Sequence, residues 1–148
     1  MSAPEIRKLV PSDHSAAIAL FGHLNPGIPA EVLKERFETI LAEHPHYHIF
    51  GAFAEGELAA VASAWIATKI WCGRYLEIDN LVVDPGVRSS GLGTALIRHL
   101  EEFAREEGCL LVVLDSYTSN HASHRLYHRL GFEIWGFHFV KPFGPLDR

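Results

Sequence analysis

Apolar and polar positions along the chain change their period several times, and each change predicts an element. Ile6, Leu9 and Val10 supply the apolar side of a short strand over Glu5 to Val10. Ser12 and Asp13 are residue types that cap helix N-termini, and a first helix runs from them to about His23. Asn25-Pro26-Gly27 interrupts it. Pro29 suits the first turn of a second helix, in which Val32, Leu33, Phe37, Ile40 and Leu41 recur at helical spacing until Pro45. Tyr47 to Ala54 and Leu58 to Thr68 read as two strands of a hairpin turning at Glu55-Gly56-Glu57. A third long strand, Tyr75 to Val83, stops at Asp84-Pro85-Gly86. Leu92, Ala95, Leu96, Leu100, Phe103 and Ala104 then form one stripe of a helix over Gly91 to Glu107, with Gly108 as its cap. Cys109 to Leu114 is almost wholly aliphatic, the pattern of a strand covered on both faces. A last helix spans about His121 to Leu130, stopped by Gly131, and Phe132 to Val140 reads as a final strand.

The predicted order is therefore strand, two helices, three strands, helix, strand, helix, strand. Its late strand–helix–strand crossover places the chain in the α/β class, with a mixed central sheet of about six strands, a parallel pair in its middle and about four flanking helices. No repeat, low-complexity tract or linker divides residues 1–148, so they read as one domain. With 48% hydrophobic and 21% charged residues, a chain of this length has the composition of a folded domain and not of a disordered one. The formal net charge of -5 disfavours nucleic acid as a partner, since neutralising phosphates takes a surplus of Lys and Arg. No apolar run approaches the roughly 18 residues of a membrane span, and Met1 to Val10 lacks the layout of a signal peptide. Cys72 and Cys109 are too few for a secreted disulfide framework, so the expectation is a cytoplasmic protein with reduced thiols.

Candidate chemistry begins at Arg88-Ser89-Ser90-Gly91-Leu92-Gly93-Thr94, between the third long strand and the strongest helix. The first amides of a helix lack intrahelical partners, and the helix dipole favours anions there. Gly91 and Gly93 carry no side chain to keep a phosphate from those amides, while Arg88 and the hydroxyls of Ser89, Ser90 and Thr94 add donors. The stretch suits a pyrophosphate; alone, it reads equally as a tight turn without a ligand. Leu96 stands where a dinucleotide fingerprint needs its third glycine, and no Gly-Lys-Ser/Thr follows for a P-loop.

The Arg-x-x-Gly-x-Gly pattern after a strand resembles the acyl-CoA signature of the GNAT superfamily. A second segment, Asn120-His121-Ala122-Ser123-His124-Arg125-Leu126-Tyr127-His128-Arg129-Leu130-Gly131-Phe132, resembles that family's downstream motif, with Ser123 where alanine is usual. Residue-level resemblance covers Leu76 to Phe132, and element order extends it over nearly the whole chain. The resemblance implies an acetyl-CoA-dependent N-acetyltransferase. In that family the strand before the signature splays from the next one, and the pantetheine arm of the cosubstrate lies in the gap against exposed backbone. Leu81, Val82 and Val83 are the matching positions here, with the Leu81 amide as donor to the thioester oxyanion. Leu92 belongs with Gly91, Gly93 and Thr94 to the pyrophosphate turn.

A lysine-like amine is mostly protonated at neutral pH, so its attack on a thioester benefits from a base. Glu77, eleven positions before Arg88, matches a glutamate that serves as base in members resembling this strand. Asp79 falls on the same face by alternation and shares the candidacy, while Asn80 falls on the other. Tyr127 matches the tyrosine that protonates the departing thiolate; the alternative is a packed tyrosine. Asn120 suits either a pantetheine contact or a helix cap. No covalent nucleophile is required.

Ten histidines invite a metal reading, with His124 and His128 four apart on a helix and His44, His46 and His48 alternating. Neither set has a Cys or carboxylate completing a recognisable site, so no metal is expected. Trp65, Trp71, Trp135, Phe137 and Phe139 read as core or as an acceptor pocket. The family resemblance favours a small-molecule amine as acceptor, in the manner of aminoalkylphosphonate and aminoglycoside acetyltransferases, and is compatible with a homodimer. A protein N-terminus or lysine, or a non-catalytic acyl-CoA-binding role, are the competing readings.

Overall fold

The computed structural model describes residues 3–87 and 91–147. Five strands form one sheet in chain order: β1 (Glu5–Lys8), β2 (Tyr47–Ala54), β3 (Glu57–Lys69), β4 (Gly73–Val83) and β5 (Leu111–Leu114). The first four are antiparallel, and β4 and β5 run parallel. The helices are α1 (His14–Leu24), α2 (Ala30–Glu43), α3 (Leu92–Glu106) and α4 (His121–Arg129). The connection β4–α3–β5 is the crossover that a parallel pair requires.

Each face of the sheet has its own core. Phe50, Ala52, Ala60, Ala62, Ala64, Leu76 and Ile78 meet Leu92, Leu96, Ile97, Leu100, Phe103 and Ala104 of α3 on one face. Ile49, Val61 and Val82 meet Ala17, Leu20 and Phe21 of α1 and Phe37 of α2 on the other. The alanines of β3 keep the sheet surface low, which lets α3 bury Leu96, Ile97 and Leu100 completely. Each such side chain contributes about 1.5–3 kcal/mol relative to an exposed one. At the start of α1 the Asp13 carboxylate accepts the Val10 amide at 2.8 Å and pairs with the Arg7 guanidinium at 2.7 Å, tying the helix to β1.

The sixth strand predicted over Phe132 to Val140 does not form: among the described residues the sheet ends at β5. Phe132 is anchored by its amide to the Tyr127 carbonyl, at 2.9 Å. Beyond it, side-chain contacts replace a ladder: His138 Nδ1 approaches Asp115 Oδ2 at 3.5 Å, and the Trp71 and Trp135 rings lie 6.4 Å apart. The strand expected over Cys109 to Leu114 is correspondingly shorter and less covered. Its four residues are half-buried, because it is an edge and not an interior strand.

Candidate active site

The site is organised by an irregularity in β4. Ala62 pairs with Leu81 and Ala64 with Ile78, so Asp79 and Asn80 together face Ser63, a β-bulge. Before the bulge, Leu76 and Ile78 point to the α3 face; after it, Leu81 and Val83 do, and Val82 joins the α1–α2 face. The extra residue moves the alternation by one. Asn80, expected on the opposite face from Glu77, therefore lies on the same one, with its side chain turned to Ser63.

Ser63 explains how the bulge is tolerated. It is a completely buried polar side chain in a strand otherwise rich in alanine. Its Oγ accepts the Asn80 backbone amide at 3.2 Å and the Asn80 side-chain amide at 3.1 Å. A backbone donor that the bulge takes out of the ladder is thus satisfied inside the protein. Burial, with the Asp79 charge nearby, pushes the Tyr47 phenol up to about 12, against the opposing influence of the polar Ser63 and Asn80 side chains.

Three carboxylates gather on the α1–α2 face. Glu77 stands opposite Val113 in the β4–β5 pairing, and Asp115, two residues on from Val113, faces the same way. Asp79 Oδ2 accepts the Trp65 indole N–H at 3.0 Å, and Trp65 pairs across from Glu77. Burial raises the Glu77 carboxyl above the usual glutamate value; the charges of Asp115 and Asp79 raise it further, while Lys69 and His138 oppose them. A carboxyl so raised is suited to exchanging protons nearer neutrality.

The β4–β5 pairing ends at Ile78 and Leu114, although β4 continues to Val83. Over Asp79 to Val83 one edge of β4 thus has no strand beside it among the described residues. Ser116, just past β5, has a buried Oγ without a hydrogen-bond partner, an orphan that a ligand in the gap could satisfy. A chain of amides, such as a pantetheine arm, fits an edge of this kind.

Leu81, Val82 and Val83 lie along this unpaired edge. Gly91, at φ +77°, is the N-cap of α3, so a left-handed turn aims the chain into the helix whose first residues are Leu92, Gly93 and Thr94. Arg88, Ser89 and Ser90 lie outside the described residues. On the α3 face Tyr127 is half-buried against the core and meets the Phe132 ring edge-on at 5.9 Å. Burial raises its phenol, and a hydrogen bond with Ser123 pulls the other way, so it stays a proton donor at neutral pH. Glu77 and Tyr127 thus approach the parting strands from opposite faces of the sheet. Asn120 caps α4, its Oδ1 accepting the Ser123 amide at 3.4 Å.

Sequence reasoning did not single out Ser63 or Asp115. A lone serine within Leu58 to Ile66 and an aspartate ending an aliphatic strand were the available signals. Several histidines are packing residues: His14 meets Phe37, His48 meets Phe103 and His99 meets Phe50 in ring contacts near 5 Å. Burial pushes the Cys109 thiol up, away from nucleophilic use.

Residues 14–132 match the family model described as "Acetyltransferase (GNAT) family". Glucosamine 6-phosphate N-acetyltransferase of Trypanosoma brucei brucei is 34% identical over 136 residues, covering 86% of this chain and 88% of the relative. Aminoalkylphosphonate N-acetyltransferase of Salmonella typhimurium is 28% identical over 143 residues, covering 95% and 92%. Among solved structures, AAC(6')-Iy in complex with the bisubstrate analog CoA-S-monomethyl-acetylneamine superimposes with a TM-score of 0.82 at 25% identity, over 95% of this chain and 99% of that one.

Proposed function

The chain belongs to the acetyltransferase (GNAT) family and is an acetyl-CoA-dependent N-acetyltransferase, and we propose that its acceptor is the primary amine of a small, cationic molecule. The observation that carries the acceptor class is the set of three carboxylates, Glu77, Asp79 and Asp115, on one face beside the parted strands. They attract an amine bearing further positive charge and disfavour one bearing a phosphate. The bisubstrate analog in the AAC(6')-Iy complex and the phosphorylated amino sugar of the trypanosomal relative mark the two directions such a site can take.

Acetyl-CoA would lie with its pyrophosphate at the turn formed by Arg88, Ser89, Ser90, Gly91, Leu92, Gly93 and Thr94. Its pantetheine arm would run along Leu81, Val82 and Val83, near Asn120. Glu77 takes a proton from the incoming ammonium; the amine nitrogen then attacks the thioester carbon. The Leu81 amide holds the resulting oxyanion. The nitrogen, cationic once it has attacked, loses a further proton to solvent as the C–S bond breaks. Tyr127 gives its proton to the thiolate and regains one from solvent, and Glu77 releases the proton it took. Asp79, tied to Trp65, keeps negative charge beside Glu77 and is the weaker candidate for base.

Residues 1–148 would act as one domain, in the cytoplasm, where Cys72 and Cys109 remain free thiols. No helix among the described residues is long and apolar enough to cross a membrane. Two copies would associate through the exposed apolar residues near the C-terminus.

Thiol release from acetyl-CoA, measured with a panel of aminoglycosides, amino sugar phosphates, aminoalkylphosphonates and peptides, tests the reading. Turnover with the polycationic amines should exceed that with phosphorylated ones. Turnover confined to peptides would refute the small-molecule acceptor, and none at all with any amine would favour a binding protein.

A further inference from the structure

The face of the sheet that carries Glu77 is roofed over only part of its length. Leu20 and Phe21 of α1 and Phe37 of α2 cover Ile49, Val61 and Val82, whereas Ala67, two residues on from Trp65 in β3, is exposed. Before the bulge, alternation sets Tyr75 beside Glu77 on this face, since Leu76 and Ile78 are buried in the α3 core. Tyr75 pairs across from Ala67, whose small side chain leaves room over the ring.

Trp65 and Tyr75 are used differently. The Trp65 indole is pinned: its N–H donates to Asp79 at 3.0 Å, and the Tyr47 and His44 rings meet it edge-on at 4.7 and 5.3 Å. The Tyr75 ring instead holds a cation. Lys69, the exposed last residue of β3, reaches diagonally from its position opposite Gly73, and its Nζ lies 4.8 Å from the ring centroid. That is inside the range of about 6 Å over which a ring face attracts a cation. Burial, Asp115 and Asp79 raise the Glu77 carboxyl, and the same ammonium is near enough to oppose them. A cation thus sits on an aromatic face beside the base, on a flexible stem that solvent can receive.

We propose that the Tyr75 ring is a second cation site of the acceptor pocket, held by Lys69 in the free protein and taken over by a second ammonium group of the acceptor. The site presupposes the cationic small-molecule acceptor proposed above and narrows it. The fitting amines carry a further cation roughly 7 Å from the reacting nitrogen, the distance by which two strand residues separate Tyr75 from Glu77. One ammonium replaces another, so the charge beside Glu77 is conserved when such an acceptor binds. A monoamine leaves Lys69 in place and gains nothing from the ring.

Steady-state kinetics with pentylamine and diaminopentane test the site in Lys69→Met, alone and combined with Tyr75→Leu or Tyr75→Phe. Emptying the seat should lower KM for the diamine relative to the monoamine by about 3- to 30-fold, the span of cation–π attraction from exposed to desolvated sites. Adding Tyr75→Leu should abolish that gain, and Tyr75→Phe, which keeps the ring, should retain it; melting curves establish that each variant is folded. A KM ratio indifferent to the side chain at this position would overturn the site. So would a loss in Lys69→Met confined to phosphorylated amines, which would make Lys69 an anion anchor. Tetramethylammonium cannot be acetylated and gives a readout independent of turnover: its proton signal should broaden with Lys69→Met and not with Lys69→Met/Tyr75→Leu. That result, beside turnover confined to phosphorylated amines or peptides, would refute the cationic acceptor and leave the seat standing. No broadening with Lys69→Met would refute the seat, whichever amine is turned over.

Discussion

Replacing Ser63 with alanine removes a single oxygen from a site that excludes water, and the geometry sets the size of the effect. Two donors lose their acceptor, the Asn80 backbone amide and the Asn80 side-chain amide, at 3.2 and 3.1 Å. The methyl of alanine opens almost no cavity, so lost hydrogen bonds dominate. An unsatisfied buried donor costs about 1–3 kcal/mol. The side-chain amide can turn toward other partners more easily than the backbone can, so the net loss should be about 2–4 kcal/mol. For a domain of this size that corresponds to a fall in melting temperature of roughly 5–15 °C. A second effect follows from the bulge itself. Without the serine acceptor, β4 can relax toward a regular ladder, and a one-residue slip exchanges the faces of the residues that follow. The Leu81 amide, proposed above as the oxyanion donor, would then be displaced, and turnover should drop by about 10²-fold, the scale for losing one oxyanion donor. A melting curve and steady-state kinetics on Ser63→Ala measure both, and Ser63→Cys, which keeps a weak acceptor, should fall between. A Ser63→Ala protein with wild-type melting and wild-type turnover would show that neither the bulge nor the oxyanion site depends on this hydroxyl.

Glu77→Gln should lower turnover by about 10²-fold, with the deficit shrinking at high pH as the acceptor amine loses its proton unaided; an unchanged pH–rate profile would move the base elsewhere. The same substitution carries a stability sign. The folded chain holds the Glu77 proton to higher pH than the unfolded chain does, so ionisation costs stability as pH climbs from the ordinary glutamate range through the raised value. Glu77→Gln should therefore melt no lower than wild type at pH 7, and a lower melting point would contradict the desolvated environment. Tyr127→Phe should retain acetyl-CoA affinity and melting temperature but lose about 10- to 100-fold in turnover; normal turnover would reduce the tyrosine to packing. Gly91→Val meets open space at its Cβ, so its penalty comes from the φ of +77°. A β-branched residue there costs at least about 1–2 kcal/mol and displaces the α3 N-terminus, so calorimetry should show weaker acetyl-CoA binding by a folded protein, and unchanged affinity would remove the turn from the cofactor site.

Most of the architecture and of the chemical inventory was readable before any coordinates. The stripe from Leu92 to Ala104 defines α3 because a 3.6-residue period has one structural solution, and the turn signal at Glu55-Gly56-Glu57 marks the hairpin of β2 and β3 as directly. The two motifs around Gly91 and Tyr127 carried the family, since local spacing preserves local geometry. Asn120 was readable as a cap for the same reason, and it caps α4.

What the chain could not declare locally are relations between distant segments. The bulge is invisible in Ile78 to Leu81, because it exists only as a mismatch of register against β3, and it turned Asn80 to the face opposite the one alternation assigns. Ser63 and Asp115 gain their meaning from Asn80 and Glu77, which lie 17 residues and a crossover away respectively. Phe132 to Val140 has every local property of a strand, yet a strand is completed by its neighbour. Periodicity in one segment determines which side chains share a face, whereas hydrogen-bonded pairing is a property of two segments, and only the tertiary structure decides whether the second is there.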